Sequence, residues 1–398
     1  MHGARPVATP DALVVGGGLA GLSAALHLAR RGARVLVVER EVVGRHASSL
    51  NAGGVRRVNR DPRELPMAEA ALARWPRLSD ELGYDVGFRA VGHLLVAEDE
   101  AELDRVRARA ASSNALGFAH ERLLDAAEAR DLCPGIAPHV RGGLYAADDG
   151  HADPAATVAA FRRAAEASGA TIWECVALLG LERDGEGWAA DTTAGRVAAR
   201  AVLNCAGAWG GRVAALAGEG WLPCEPQAPM ALATPPLPPF LGPVVQTLTR
   251  RLTLKQDGSG RALVGGGHRA RLGAEEAEAG RPALVPGEAE ANLATARSLF
   301  PAALGGVPVA RAWAGVDGYT PDRVPVLGRA TEGGVVHAWG FSGHGFALAP
   351  ALGEALAALA LGETPAVDVS GLSPARFSLA PPTPPTREAS SAATHTAQ

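Results

Sequence analysis

The tract ALVVGGGLAGLSAALHLARRGARVLVVE, residues 12–39, constrains this chain more than any other. It sets out an apolar strand (12–15), a glycine turn, a helix (19–31) and a second apolar strand (34–38) that runs into an acid, Glu39. The turn carries Gly16-x-Gly18-x-x-Gly21. Gly16 permits the tight turn, Gly18 lets backbone N–H groups approach a pyrophosphate, and Gly21 lets the helix lie close on the strand. The helix N-terminus, with about half a positive charge of macrodipole, then faces the phosphates. Glu39 stands where a carboxylate accepts from ribose hydroxyls. The glycine pattern alone is weak. Here strand, helix, strand and acid follow in the required order, and a ligand-free βαβ turn would leave Glu39 unexplained. Dinucleotide binding is the expectation.

At 398 residues the chain exceeds one ordinary core, so two domains are expected. Hydrophobic content of 47% and charged content of 20% suit a soluble globular protein. The net charge of −4 offers no basic footprint for nucleic acid or anionic membrane. No apolar run reaches membrane-spanning length, and no signal-peptide segment precedes the first strand, so a cytoplasmic location is expected. Cys133, Cys175, Cys205 and Cys224 show neither CxxC nor metal-ligand spacing, so neither disulfide nor metal is expected. Among 38 Lys plus Arg, Lys255 is the only lysine. An ammonium can lose its proton and a guanidinium cannot. Lys255 is therefore either a working group or an ordinary exposed strand residue.

Along the rest of the chain, residues 63–82 and 100–117 show helical apolar steps, and FRAVGHLLVAE reads as a strand or hairpin. Asp153-Pro154 starts a helix as N-cap and first residue. Residues 171–209 read as strand, hairpin and strand. Prolines crowd residues 222–243, RLTLKQDGSGRALVGGG forms a hairpin about Asp257-Gly258, and residues 287–300 are helical. Near the end, GFSGHGF (340–346) lies between the strand VVHAW and the helix LAPALGEALAALALG. The tail 381–398, rich in Pro, Ser, Thr and Ala, is expected to be disordered.

Six stretches, matching in order and spacing over about residues 10–365, resemble the FAD-dependent amine oxidoreductases of the D-amino-acid oxidase superfamily. They are GGGLAGLSAALHLARRGARVLVVER, ASSLNAGGVR (47–56), GLYAADDGHADP, VLNCAGAWGGRVAALAG, WAGVDGYTPDRVPVLGR (313–329) and WGFSGHGFALAPALGEALA (339–357). The resemblance implies an α/β fold with a Rossmann-like FAD-binding domain (10–62, 142–215 and 315–365). A second, mostly antiparallel α+β substrate domain would take residues 63–141 and 216–314. It implies that Gly16, Gly17, Gly18, Ala20, Gly21, Glu39 and Arg40 hold the ADP half of FAD. Ser48, Ser49, Asn51, Ala52 and Gly53 would pass the pyrophosphate and flavin, Val176 the adenine, and Ala206 and Gly207 the turn beside them. Ser342, Gly343, His344, Gly345 and Phe346 would lie beside the isoalloxazine ring. There, the free N–H groups of the helix that follows would face the ring edge where negative charge collects on reduction. The implied reaction is hydride transfer from the carbon bearing an amine to flavin N5, giving an imine that water hydrolyses. It needs placement of the C–H bond rather than a strong acid or base.

Departures from the family narrow the reading. Where glycine oxidase and D-arginine dehydrogenase carry an arginine for the substrate carboxylate, this chain has Asp317, which would attract an amine instead. Gly315 replaces the cysteine that holds flavin covalently in monomeric sarcosine oxidases, so FAD is expected to be non-covalent. The oxygen-activating lysine of those enzymes falls near Leu263, whereas Lys255 matches a lysine-bearing strand of D-arginine dehydrogenase. Electrons could therefore pass to O2 or to an acceptor protein or quinone. Arg56 and Arg57 are the nearest candidates for a substrate acid group, set against a solvated surface pair. His46 and His151 fall in nearby loops. Candidates for the chemistry are thus Asp317, Lys255, His344 and Arg56, acting on a secondary amine or amino acid. A flavin-binding subunit or assembly factor with little turnover, or a 2-hydroxyacid or polyol oxidoreductase, remain alternatives, as do homo- and hetero-oligomers.

Overall fold

The computed structural model describes residues 6–220 and 222–377. β1 (Ala12–Val15), α1 (Leu19–Arg30) and β2 (Val35–Val38) form as the sequence pattern requires. They build the centre of a six-stranded sheet ordered Val326–Arg329, Val336–Trp339, Ala201–Asn204, β1, β2, Thr171–Trp173. All neighbours are parallel except the edge strand Val326–Arg329. Both faces are covered, which explains why β1 and β2 are apolar at every position. Val14, Val35 and Val37 enter a core with α1 and the helices Pro154–Ala167 and Ala349–Ala360. Leu13, Val15, Leu36 and Val38 point the other way, into a core with Leu181, Trp188 and Val197 of a three-stranded antiparallel meander.

The second sheet has eight strands, ordered Arg311–Ala314, Pro229–Pro236, Arg261–Arg269, Leu252–Gln256, Val244–Thr247, His93–Ala97, Gly142–Ala146, Arg122–Asp125. It is antiparallel apart from the pairing of Val244–Thr247 with His93–Ala97. Helix Pro286–Leu299 packs Leu293, Ala296 and Leu299 against Met230, Leu232, Leu254 and Val264.

Two boundaries differ from the sequence reading. Gly142–Ala146 belongs to the eight-stranded sheet, because Leu144 is buried between Leu95 and Leu123 across two ladders. The crossing point therefore lies after Ala146, not before Gly142. Residues 63–82 pack into the nucleotide core rather than the substrate side: Met67, Ala68, Trp75 and Leu78 join α1 and Ala349–Ala360, and Trp75 Nε1 donates to the Ala347 carbonyl at 2.8 Å. This stretch is also not one helix. Leu65–Leu72 and Leu78–Leu82 are separated by a 3₁₀ turn, Trp75–Arg77, where Pro76 lacks the amide an unbroken helix needs. The tail 381–398 lies outside the described residues. Among the described residues no helix is long and apolar enough to cross a membrane, and no group of three or more His, Cys, Asp or Glu is disposed to hold a metal.

Candidate active site

One cavity of about 800 Å³ runs from the C-terminal end of β1 to the eight-stranded sheet. Its first wall is the nucleotide turn. Gly16 has φ +109°, and a Cβ there would collide with the Cys205 carbonyl oxygen. A Cβ on Gly21 would strike the Gly16 carbonyl, so these two glycines set how closely α1 lies on the sheet. Gly16, Gly18, Ala20, Glu39, Arg40, Ser48, Asn51, Ala52, Val176, Ala206 and Gly207 line the cavity. Gly17, Gly21, Ser49 and Gly53 do not, and shape it from behind. The Gly17 N–H is spent on Glu39 Oε2 at 2.7 Å.

The Glu39 carboxylate also accepts the Glu41 N–H at 2.8 Å. Burial holds its pKa above the usual carboxylate range, against the pull of these two N–H groups. Each oxygen keeps a lone pair for a further donor. Ser48 Oγ accepts the Leu19 N–H at 2.9 Å, which puts a hydroxyl at the N-terminus of α1 where an anion would sit. Asn51 closes its own loop, donating to the Ala47 and Ser48 carbonyls and accepting from Gly53 N–H at 2.7 Å. Arg40 lies over the Trp209 ring, 4.1 Å from its centroid.

At the opposite end, Ser342, Gly343, His344, Gly345 and Phe346 line the cavity. The regular helix starts only at Ala349, after a 3₁₀ turn at Phe346–Leu348. The Gly343 N–H is already taken, by Asp317 Oδ2 at 2.6 Å, while Oδ1 accepts the Gly318 N–H at 2.9 Å. Asp317 is 8% exposed, and burial pushes its carboxyl up to about 6. The residue therefore braces the glycine loop from the cavity wall rather than offering a free charge. His344 is braced too: Nδ1 meets Glu64 Oε2 at 3.0 Å, Nε2 faces the Arg323 carbonyl at 3.1 Å, and Arg60 donates to its own carbonyl at 2.9 Å.

Lys255 is not an exposed strand residue. It is 4% exposed, donates to the Ala152 carbonyl at 3.2 Å, and a Cβ on Gly53 would meet its Nζ at 2.8 Å. The ammonium thus sits behind the 51–54 loop, outside the cavity lining. Burial lowers its pKa to about 8. His151 beside it is lowered to about 4, by burial and then by the Lys255 charge. His46 is tied to Glu41 at 3.0 Å.

The two arginines after the Asn-Ala-Gly-Gly turn part company, and neither is a solvated surface residue. Arg57 is bound to Glu69, Asp148 and Asp149 at 2.9, 3.1 and 3.3 Å. Arg56 has no carboxylate within salt-bridge distance among the described residues and donates only to the Val58 carbonyl. It is packed deep in protein, which lowers its pKa to about 10, yet it keeps an open face onto the cavity. It stays charged at neutral pH. Two groups that the sequence reading missed share this wall. Gln246 Oε1 is buried without a partner. Tyr319 places its hydroxyl 2.9 Å from where a Gly343 Cβ would be, and burial pushes its pKa up to about 12, so it remains a neutral donor. Tyr319 lay in the motif GYTPD, but nothing in its spacing indicated that its ring would return to the glycine loop.

A mostly parallel sheet with a glycine cradle, joined through one cavity to a mainly antiparallel sheet, is the arrangement of a dinucleotide-dependent oxidoreductase. The chain matches the FAD dependent oxidoreductase family over residues 11–359 and belongs to it. It is 31% identical over 216 residues to glycine oxidase of Geobacillus kaustophilus, a match spanning 52% of this chain and 57% of that enzyme. Over 369 residues it is 27% identical to glycine oxidase of Bacillus licheniformis, 88% of this chain and 93% of that enzyme. The crystal structure of glycine oxidase from Geobacillus kaustophilus superposes with a TM-score of 0.82 at 26% identity, covering 93% of this chain and 100% of that one. FAD is the cofactor of this family, and the residues present fit it. The cradle leaves no room for a Cβ at Gly16, Ser48 and the start of α1 face the cavity, and Glu39 keeps acceptor capacity.

Proposed function

We propose that this flavoenzyme oxidises the C–N bond of a secondary amine or amino acid. The observation that carries the reading is Arg56: an enclosed cation that opens onto the cavity with no carboxylate of its own. A buried charge left unpaired is costly, and a substrate carboxylate would satisfy it through charge-assisted hydrogen bonds.

Non-covalent FAD, when bound, would supply the hydride-accepting chemistry by which the carbon bearing the nitrogen is oxidised to an imine that water hydrolyses. The chain's own residues supply placement. Glu39, Ser48 and the N-terminus of α1 would hold the dinucleotide half. Asp317 fixes the Gly343 N–H, and Glu64, Arg60 and Arg323 fix His344, so the glycine loop cannot drift. Arg56 would orient the acid group, and the neutral Tyr319 hydroxyl would donate across the same space. Positioning of this kind supplies much of the rate in a reaction that needs no strong acid or base.

The test is anaerobic mixing of the holoenzyme with a panel of amines, amino acids and 2-hydroxy acids, followed by admission of air. Bleaching of the flavin absorbance by amines supports the reading, and bleaching by hydroxy acids alone overturns it. A fast return of colour in air marks O2 as acceptor. A slow return marks an acceptor protein or quinone.

A further inference from the structure

Beside the glycine loop the cavity wall gathers positive charge, in a chain whose net charge is −4. Arg251, Arg269 and Arg323 all line it. They come from three places: the residue before strand Leu252–Gln256, the end of strand Arg261–Arg269, and the turn after strand Asp317–Tyr319. Arg269 and Arg323 lie 5.0 and 5.6 Å from the centroid of the Tyr319 ring. Among the described residues none of the three makes a salt bridge or donates a side-chain hydrogen bond. Asp317, the wall carboxylate that feels the Arg269 charge, is committed to the N–H groups of Gly318 and Gly343. Arg251 and Arg323 also hold left-handed backbones, φ +54° and +60°. That conformation costs a non-glycine residue energy and persists where the surroundings enforce it, most often at ligand sites. Desolvation and the charges of Arg251 and Arg269 lower the Arg323 pKa, offset only in part by Tyr319 and by Glu225, which lies across the ladder from Tyr319 and outside the cavity lining.

We propose that Arg251, Arg269 and Arg323 form a second anion subsite, so that the substrate is an amine carrying at least two carboxylates. One acid group binds Arg56, the other binds this cluster across Tyr319, and the C–N bond lies between them. The proposal deepens the C–N oxidation reading and rests on it for the reactive bond, but not for the binding of the acids.

The binding test uses thiodiacetate, a di-acid with an inert sulfur in place of nitrogen, and the mono-acid (methylthio)acetate. Both are titrated into the FAD-loaded enzyme by calorimetry and by perturbation of the flavin absorbance. Thiodiacetate should bind about tenfold tighter or better, as expected for one more charge-assisted contact. Arg269→Gln and Arg323→Gln should each remove about that tenfold advantage and leave (methylthio)acetate within about twofold. Arg56→Gln should weaken both ligands. FAD content and far-UV circular dichroism establish that each variant is folded, and the exposed Arg251→Gln provides an independent arm. Equal binding of the two acids overturns the subsite. So does an equal loss for both acids in Arg269→Gln and Arg323→Gln, or tight binding of an acidic protein by a mouth that ignores small di-acids. If thiodiacetate behaves as stated and no amine bleaches the flavin, the subsite stands and the C–N reading falls. If mono-acid amines bleach it as well as di-acid amines do, the reverse holds.

Discussion

Asp317→Asn tests whether the buried carboxylate braces the glycine loop at an energetic cost. Both oxygens of Asp317 accept backbone N–H groups, yet burial still raises its carboxyl to about 6 from 3.8. A folded-state pKa raised above the unfolded one means stability fully present below about pH 4 and lost as pH rises through 6. The shift of roughly two units corresponds to about 3 kcal/mol in full, of which about 1.3 kcal/mol is lost between pH 5 and pH 7. Asparagine keeps the shape and removes this titration. It also turns an NH₂ towards one of the two N–H donors, forfeiting a charge-assisted bond worth about 1.5–3 kcal/mol. The gain and the loss nearly cancel at pH 7, so wild type and variant should unfold in urea at similar free energy there. At pH 5 wild type should pull ahead by about 1 kcal/mol. Freed from its acceptor, the Gly343 loop should also bind FAD more weakly in the variant. Parallel stability profiles from pH 5 to 7, with unchanged FAD affinity, would refute the reasoning.

Three further outcomes are expected. Acid precipitation should release all yellow colour to the supernatant, because Gly315 stands where related enzymes carry the flavin-linking cysteine; colour in the pellet would overturn this. Glu39→Ala should weaken FAD binding by about one to two powers of ten if the carboxylate also accepts from the ribose. It should lower apoprotein stability as well, since Gly17 and Glu41 lose their acceptor; a fluorescence titration with FAD and a melting curve separate the two effects. Lys255→Met should stabilise the protein at pH 7 by up to about 3 kcal/mol, less the bond to Ala152, since burial lowers the ammonium to about 8. That advantage should vanish as pH climbs from 8 towards 10.5, and a flat difference across this range would show the amine to be hydrated.

The sequence makes local geometry legible and leaves convergence illegible. Gly16, Gly18, Gly21 and Glu39 could be placed because each role is fixed within one strand–turn–helix, where spacing is geometry. Asp153 caps its helix as read, accepting the Ala156 N–H at 2.9 Å. Lys255 stood out through rarity, but periodicity could not say which face of its strand is buried. Asp317 looked like a free charge because its residue type differs from that of related enzymes. Only the fold shows that both its oxygens are spent on backbone. The cations of the substrate wall are the clearest case. Arg56, Arg251, Arg269 and Arg323 are brought to one cavity by two loops, the end of one strand of the eight-stranded sheet and the turn after strand Asp317–Tyr319. No spacing in a single sequence reports that meeting. In a chain with 38 basic residues, nearly all of them arginine, residue type marks none of the four either. What sets them apart is a place on the cavity wall together with the lack, among the described residues, of any carboxylate or side-chain partner for the guanidinium, a property of three-dimensional pairing. Arg57 follows Arg56 in sequence, yet it lies off the cavity with three carboxylates at hand. If the two proposed acid subsites hold, the specificity of this enzyme is set by which charges the fold leaves unpaired.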